Sequence, residues 1–88
     1  MTYAEKLRHA ADVIELLAID NADVISVRSD SVSTRVLLRD SETQFAERFK
    51  QYTRRSNGAS MLFDAEIDGV VFTGNEAMKF TTEEVVLP

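Results

Sequence analysis

Seven cationic side chains in the middle of the chain are the largest group of residues that could bind a ligand. Residues 24–55 hold seven Lys or Arg against four Asp or Glu, whereas residues 1–23 hold two against five and residues 56–88 hold one against six. Guanidinium groups bind phosphates, and an aromatic ring stacks on a nucleobase. One interpretation is a nucleic-acid-associated accessory protein that uses Arg35, Arg39, Arg54 and Arg55, with Tyr52 available for stacking.

Two observations weigh against nucleic acid as the partner. The formal net charge of the whole chain is −5, so a polyanion is repelled beyond the basic segment. In addition, no aromatic residue accompanies Arg35 on the open strand face described below. A second interpretation is that the arginines pair with carboxylates such as Asp64 and Glu66, and that Arg54 and Arg55 complete the dipole of a helix end.

Three apolar residues, Leu37, Leu62 and Val71, alternate with core positions and are predicted to lie on the opposite strand faces. If both predicted hairpins belong to one sheet, the three side chains form an apolar strip on its helix-free face. The rim of this strip is charged and consists of Arg35, Arg39, Asp64 and Glu66. An apolar centre with a charged rim is typical of a protein interface, although isolated surface hydrophobes are also common.

The sequence offers little for catalysis or metal binding. His9 is the only histidine, there is no cysteine, and the three glycines are isolated, so no phosphate-binding loop is present. The segment from Asp64 to Gly69 begins like a calcium loop, but the twelfth position is Asn75 instead of a bidentate carboxylate. We therefore expect no enzyme, no cofactor and no metal site.

The first half of the chain predicts a helix followed by a hairpin. Thr2 and Glu5 form a capping box, and apolar residues at helical spacing continue to a stop near Asp20. The residues of this apolar stripe are Leu7, Ala10, Ala11, Val13, Ile14, Leu16, Leu17 and Ala18. Two strands, 24–28 and 32–38, then flank a polar turn. Their core face is expected to carry Val32, Thr34, Val36 and Leu38.

The second half predicts another helix and another hairpin. Ser41 and Gln44 form a capping box, and the aromatic residues Phe45, Phe49 and Tyr52 continue one stripe toward a stop at Asn57-Gly58. Strands 59–67 and 70–73 follow, joined by a two-residue turn at Asp68-Gly69. The expected end of the last strand is Gly74-Asn75. Residues 75–79 then suggest one helical turn, and residues 84–87 either a short edge strand or a loose end.

These elements predict an α+β fold, with two helices packed on one face of a four- to five-stranded antiparallel sheet. The order is α-β-β-α-β-β with a short C-terminal element, and residues 1–88 form a single domain. No segment has the composition of a signal peptide or a membrane span, so we expect a cytoplasmic protein. The leading hypothesis is a non-catalytic interaction domain that binds a protein partner or forms a homodimer. Small acidic proteins of phages and mobile elements that act as inhibitors or adaptors offer an analogy in size and composition.

Overall fold

Two helices lie against one face of a five-stranded sheet in the computed structural model, which describes residues 1–77. The buried core unites residues of both helices with residues from one face of the sheet. The elements in chain order are α1 (Tyr3–Leu16), a 3₁₀ turn (Asn21–Asp23), β1 (Val24–Ser29), β2 (Thr34–Leu38), α2 (Glu42–Arg48), β3 (Thr53–Ser56), β4 (Ser60–Ile67) and β5 (Val70–Ala77). The predicted α+β class is confirmed.

The sheet is mixed, which corrects the prediction that it is wholly antiparallel. Its strand order is β1-β2-β5-β4-β3, and β2 pairs with β5 in parallel. The other three pairs are antiparallel. The parallel pair joins the two predicted hairpins into one continuous sheet. The predicted order α-β-β-α-β-β also lacked one strand, β3, which lies between α2 and β4.

Helix α1 begins as predicted and ends earlier than predicted. The Thr2 hydroxyl accepts from the Glu5 N–H, and the Glu5 carboxylate accepts from the Thr2 N–H, which holds the pKa of Glu5 below its usual value. The helix ends at Leu16 instead of near Asp20, and Ala18 adopts a left-handed φ of 56°. This turn buries Ile19, whereas Leu16 is 79% exposed and falls outside the core stripe.

The first hairpin places most of its predicted core face correctly. Thr34, Val36 and Leu38 are buried. Val32 is 89% exposed, because it lies in the turn before β2 instead of in the strand. In that turn the Asp30 carboxylate accepts from the Val32 and Ser33 backbone N–H groups, which lowers the pKa of Asp30. The turn chemistry therefore removes Val32 from the sheet.

The second helix is much shorter than the aromatic stripe suggested. Its Ser41–Gln44 capping box is confirmed, but α2 ends at Arg48, and the chain then becomes extended. Arg54 and Arg55 consequently lie on β3, and the prediction that they occupy the last turn of a helix is wrong. The chain can leave the helix early because Phe49 and Tyr52 still reach the core from the connecting segment.

The second hairpin agrees with its predicted register. Ala65 pairs with Phe72 and Ile67 pairs with Val70. Asp68 and Gly69 both have positive φ, as a two-residue turn that matches the twist of the strands requires. Strand β5 extends to Ala77, beyond the predicted end at Gly74-Asn75, so residues 75–77 are not a helical turn. The predicted edge strand at 84–87 lies outside the described residues, as do residues 78 and 79.

An aromatic cluster fills the core beneath α2. The ring of Phe45 lies 4.6 Å from Phe49, 5.4 Å from Tyr52 and 5.7 Å from Phe63, measured between centroids. The ring of Phe45 is accommodated by Gly74 on β5, where an added Cβ would come within 2.9 Å of Phe45 Cδ2. The absence of a side chain at Gly74 thus allows α2 to pack closely on the sheet.

The hydroxyl of Tyr52 forms a hydrogen bond with Glu42 of α2, and the strength of this contact depends on pH. It donates to Glu42 Oε2 at 2.9 Å, and this bond, followed by burial and the Glu42 charge, raises the pKa of Tyr52 above its usual value. The contact therefore stabilises the fold while the phenol is protonated, and its contribution is lost as the pH rises through the raised pKa. In a Tyr3→Phe background, Glu42→Ala is expected to lower the midpoint of the phenolate absorbance titration. Equal midpoints would show that the bond is absent in solution.

Candidate interaction surface

Most of the predicted interface residues lie on the helix-free face of the sheet, which we call the open face. Strand register places these side chains in rows that cross the sheet. The first row contains Arg28, Arg35, Val71 and Glu66, and the second contains Ser26, Leu37, Thr73, Asp64 and Thr53. A third row contains Asn75, Leu62 and Arg55. Six of the seven predicted interface residues therefore belong to these rows.

A polar network occupies the centre of the open face. Arg35 Nη1 donates to Thr73 Oγ1 at 2.9 Å and lies 3.3 Å from Asp64 Oδ1. The Thr73 hydroxyl donates to the same Asp64 oxygen at 2.8 Å, and Arg55 Nε donates to Asp64 Oδ2 at 3.0 Å. Asp64 thus holds two arginines from strands on either side of it, and the network fixes their positions on the face.

The three apolar residues of the predicted strip surround this network. Leu37, Leu62 and Val71 are all partly buried. Because β5 lies between β2 and β4, Leu37 and Leu62 are on strands that do not pair with each other. The row that connects Leu37 to β4 runs through Thr73 and Asp64. This corrects the prediction of an apolar strip with a charged rim: polar side chains occupy the centre of the face, and the three apolar side chains lie around it among other polar and charged residues.

Two of the predicted interface residues lie toward the margins of the face. Arg39 follows the end of β2, and its Nε donates to the Ala22 carbonyl of the 3₁₀ turn at a long 3.4 Å. Glu66 is exposed on β4, where its backbone belongs to the β4–β5 ladder, and its side chain forms no hydrogen bond or ion pair with any of residues 1–77. Strand β3 starts opposite Asp64, so no residue of β3 lies beside Glu66. Among residues 1–77, the Glu66 carboxylate is therefore unpaired, and it lies at one end of the first row.

The arginines considered for nucleic acid are largely engaged with carboxylates. Arg35 and Arg55 pair with Asp64, and Arg54 Nε lies 3.2 Å from Glu42 Oε2. The guanidinium charges of this set are therefore partly neutralised within the protein, and Arg55 points along the open face instead of capping a helix.

A second ion-pair cluster joins α2 to the end of β2 and to the 3₁₀ turn. Arg48 Nε donates to Asp40 Oδ2 and Arg48 Nη2 donates to Asp23 Oδ2, both at 2.7 Å. The Asp40 side chain is fully buried and receives a second bond from Arg48 at 3.2 Å. These contacts raise the pKa of Arg48, the Asp40 hydrogen bond most strongly. The central basic segment thus pairs with the acidic segments on both sides of it.

Two of the carboxylate residues considered for metal binding, Asp64 and Asp68, make other contacts. Asp64 faces two arginines, and Asp68 lies in the hairpin turn. The Asp68 carbonyl is 2.8 Å from His9 Nε2, which joins α1 to this turn. Within residues 1–77, no group of three or more His, Cys, Asp or Glu side chains is arranged to hold a metal ion.

A groove of about 740 Å³ lies at the edge of β4, where the chain from α2 diverges before β3 begins. The residues that line it include Phe49, Tyr52, Ala65, Ile67, Lys50 and Glu66. The groove is continuous with the open face through Asp64 and Glu66.

No protein-family model, curated protein or solved structure matches this chain. None of the helices formed by residues 1–77 is long and apolar enough to cross a membrane. The assignment of function therefore depends on the geometry of the open face.

Sequence reasoning missed Thr73 as part of the site. It is 6% exposed and links Arg35 to Asp64, yet in the sequence it is one polar residue at the end of an apolar run. The signal that could have found it is this position in the alternation, since Thr73 follows Val71 by two and must share its face. Arg55 was predicted to bind nucleic acid or to pair with carboxylates near a helix end, and it was not assigned to the protein interface because a helix was predicted where β3 lies.

Proposed function

We propose that this protein is a non-catalytic binding module that uses the open face to bind a protein partner. The observation that supports the proposal best is the ordered network of Arg35, Thr73, Asp64 and Arg55, with partly exposed apolar residues around it. Arginine is enriched in interfaces, their fully buried parts are more apolar than the rest of the surface, and complementary charges set specificity. Because the network is already ordered, little side-chain freedom is lost on binding.

The nucleic-acid alternative is less well supported by the same contacts. Arg35, Arg54 and Arg55 would have to exchange carboxylate partners for phosphates. An arginine that turns to a phosphate leaves its former carboxylate partner next to that phosphate. The Asp64 side chain, for example, is only 19% exposed and would lie beside the incoming anion. That arrangement is repulsive and lowers the affinity for a polyanion.

The experiment compares two valine-to-lysine variants as bait. Val71→Lys places a charge in the open face, whereas Val32→Lys places it in the exposed turn before β2. Both side chains reach solvent, so circular dichroism is expected to show native folding for both. Proteins from source-cell lysate are then captured on each bait, with and without nuclease, and identified by mass spectrometry.

The expected result is a specific protein that is retained after nuclease by the wild type and by Val32→Lys and is lost with Val71→Lys. A tagged bait that retains untagged copies of the same chain in this pattern also supports the proposal. Retention that vanishes with nuclease, or retention that Val71→Lys leaves unchanged, would contradict it. Unfolding of Val71→Lys would show that Val71 belongs to the core, and the face would then be wrongly assigned.

A further inference from the structure

The first row of the open face carries opposite charges at its two ends. Arg35 on β2 pairs with Val71 on β5, and Val71 pairs with Glu66 on β4, so the three side chains share one line across the sheet. Arg28 on β1 is aligned with Arg35 and adds a second cation at the same end. Along this line the surface is therefore cationic, then apolar, then anionic.

Such a row is complementary to itself after a two-fold rotation. With the rotation axis parallel to β5 and between two facing sheets, β2 of one copy lies over β4 of the other. Arg35 of each copy then meets Glu66 of the other copy, and the two Val71 side chains meet at the axis. Isologous dimers require this property, because the same patch must serve as both partners.

We propose that the open face binds a second copy of this chain, with reciprocal Arg35–Glu66 ion pairs on either side of a Val71–Val71 contact. This inference rests on the proposed function and names its partner. The charge pattern disfavours a partner of uniform charge, which would meet a like charge at one end of the row, whereas a second copy carries the complementary pattern through the two-fold rotation.

The unpaired charged groups of the row fit this arrangement. The Glu66 carboxylate has no hydrogen bond or ion pair among residues 1–77, and β3 begins opposite Asp64, so no β3 residue lies beside Glu66. Arg35 contacts Thr73 and Asp64 through Nη1, and its side chain is still 45% exposed. Its other N–H groups remain available to a second carboxylate. Leu37 would lie over the Thr73–Asp64 row of the other copy, whose polar atoms are already hydrogen-bonded and lose little on burial.

The size of the face predicts a dimer that depends on concentration. Five strands at the usual spacing of about 4.8 Å give a face about 24 Å wide. A face of this width buries less surface area than obligate interfaces do. We therefore expect a monomer–dimer equilibrium that shifts across the micromolar to millimolar range of chain concentration.

The experiment measures mass in solution by sedimentation equilibrium over that range. The wild type and Val32→Lys are expected to approach twice the chain mass of 9.9 kDa. Glu66→Arg sets a second guanidinium against Arg35 of the other copy, and Val71→Lys sets two cations at the axis, so both variants are expected to remain monomeric. The Glu66 side chain forms no hydrogen bond or ion pair within residues 1–77, so its replacement is expected to preserve the fold, and circular dichroism checks that Glu66→Arg is native.

Two charge-reversal variants provide a test in which dimerisation is restored. Arg35→Glu alone is expected to be monomeric. An equimolar mixture of Arg35→Glu with Glu66→Arg is expected to recover a heterodimer, because each of the two contacts between the copies then joins a glutamate to an arginine. A wild type that stays monomeric throughout, or a dimer that survives Glu66→Arg, would overturn the inference. In either case the proposed function stands if a protein, either a different chain or an untagged copy of this one, is captured by the wild type and lost with Val71→Lys, and it falls if none is found.

Discussion

Replacement of Arg48 by methionine is expected to lower the free energy of unfolding by about 3–5 kcal/mol. The guanidinium donates two bonds to Asp40, whose side chain is fully buried, and one to Asp23. Methionine fills much of the same volume but leaves the Asp40 carboxylate buried without a counter-charge. The expected loss is a large part of the stability of a small domain. Urea denaturation followed by circular dichroism measures it.

Arg54→Met is the matched control for this loss. Arg54 also pairs with a carboxylate, but its side chain is 57% exposed and that of Glu42 is 28% exposed. Water can solvate both groups when the pair is removed, so the expected loss is below about 1 kcal/mol. Similar losses for the two variants would contradict the view that the burial of Asp40 makes the Arg48 pair important.

Replacement of Phe45 by alanine is expected to cost about 3–5 kcal/mol of unfolding free energy. Phe45 is fully buried and its ring contacts Phe49, Tyr52 and Phe63. It is also the ring that lies over Gly74, which has no side chain of its own to occupy the vacated space. We therefore expect a cavity, and a loss toward the upper end of the range.

Tyr3→Ala is the corresponding control, because it also removes an aromatic ring from a helix. Tyr3 is 60% exposed, so its truncation is expected to change the stability by less than about 0.5 kcal/mol. Thermal and urea denaturation of both variants provide the comparison. A loss for Phe45→Ala no greater than that for Tyr3→Ala would show that α2 is not packed on the sheet in solution.

The elements that the sequence predicts well are those with a strong local signal. Both capping boxes and the Asp68-Gly69 turn depend on contacts within a few residues, and all three are confirmed. The end of α2 is different, because its aromatic spacing fits a longer helix as well as a short helix followed by an extended segment. Strand β3 gives no alternating pattern, since all four of its residues are exposed. Its pairing with β4 is what makes it a strand.

The candidate site was predictable where alternation alone decides the face. Arg35, Leu37, Asp64 and Val71 lie on the open face as their strand positions required. Which of them are neighbours depends on the parallel pairing of β2 with β5, and no local pattern encodes that pairing. Tertiary register therefore determines that the centre of the face is a hydrogen-bonded network.

The same parallel pair has a consequence for the time course of folding. The antiparallel pairs β1–β2, β3–β4 and β4–β5 each join strands that follow each other closely in the chain, so each can form after closure of a short loop. Strands β2 and β5 are separated by α2, β3 and β4, and their pairing requires closure of a much longer loop. Such non-local pairing is slow. We expect the two hairpins to form early and their union to limit the rate, so the open face exists only after the last step of assembly.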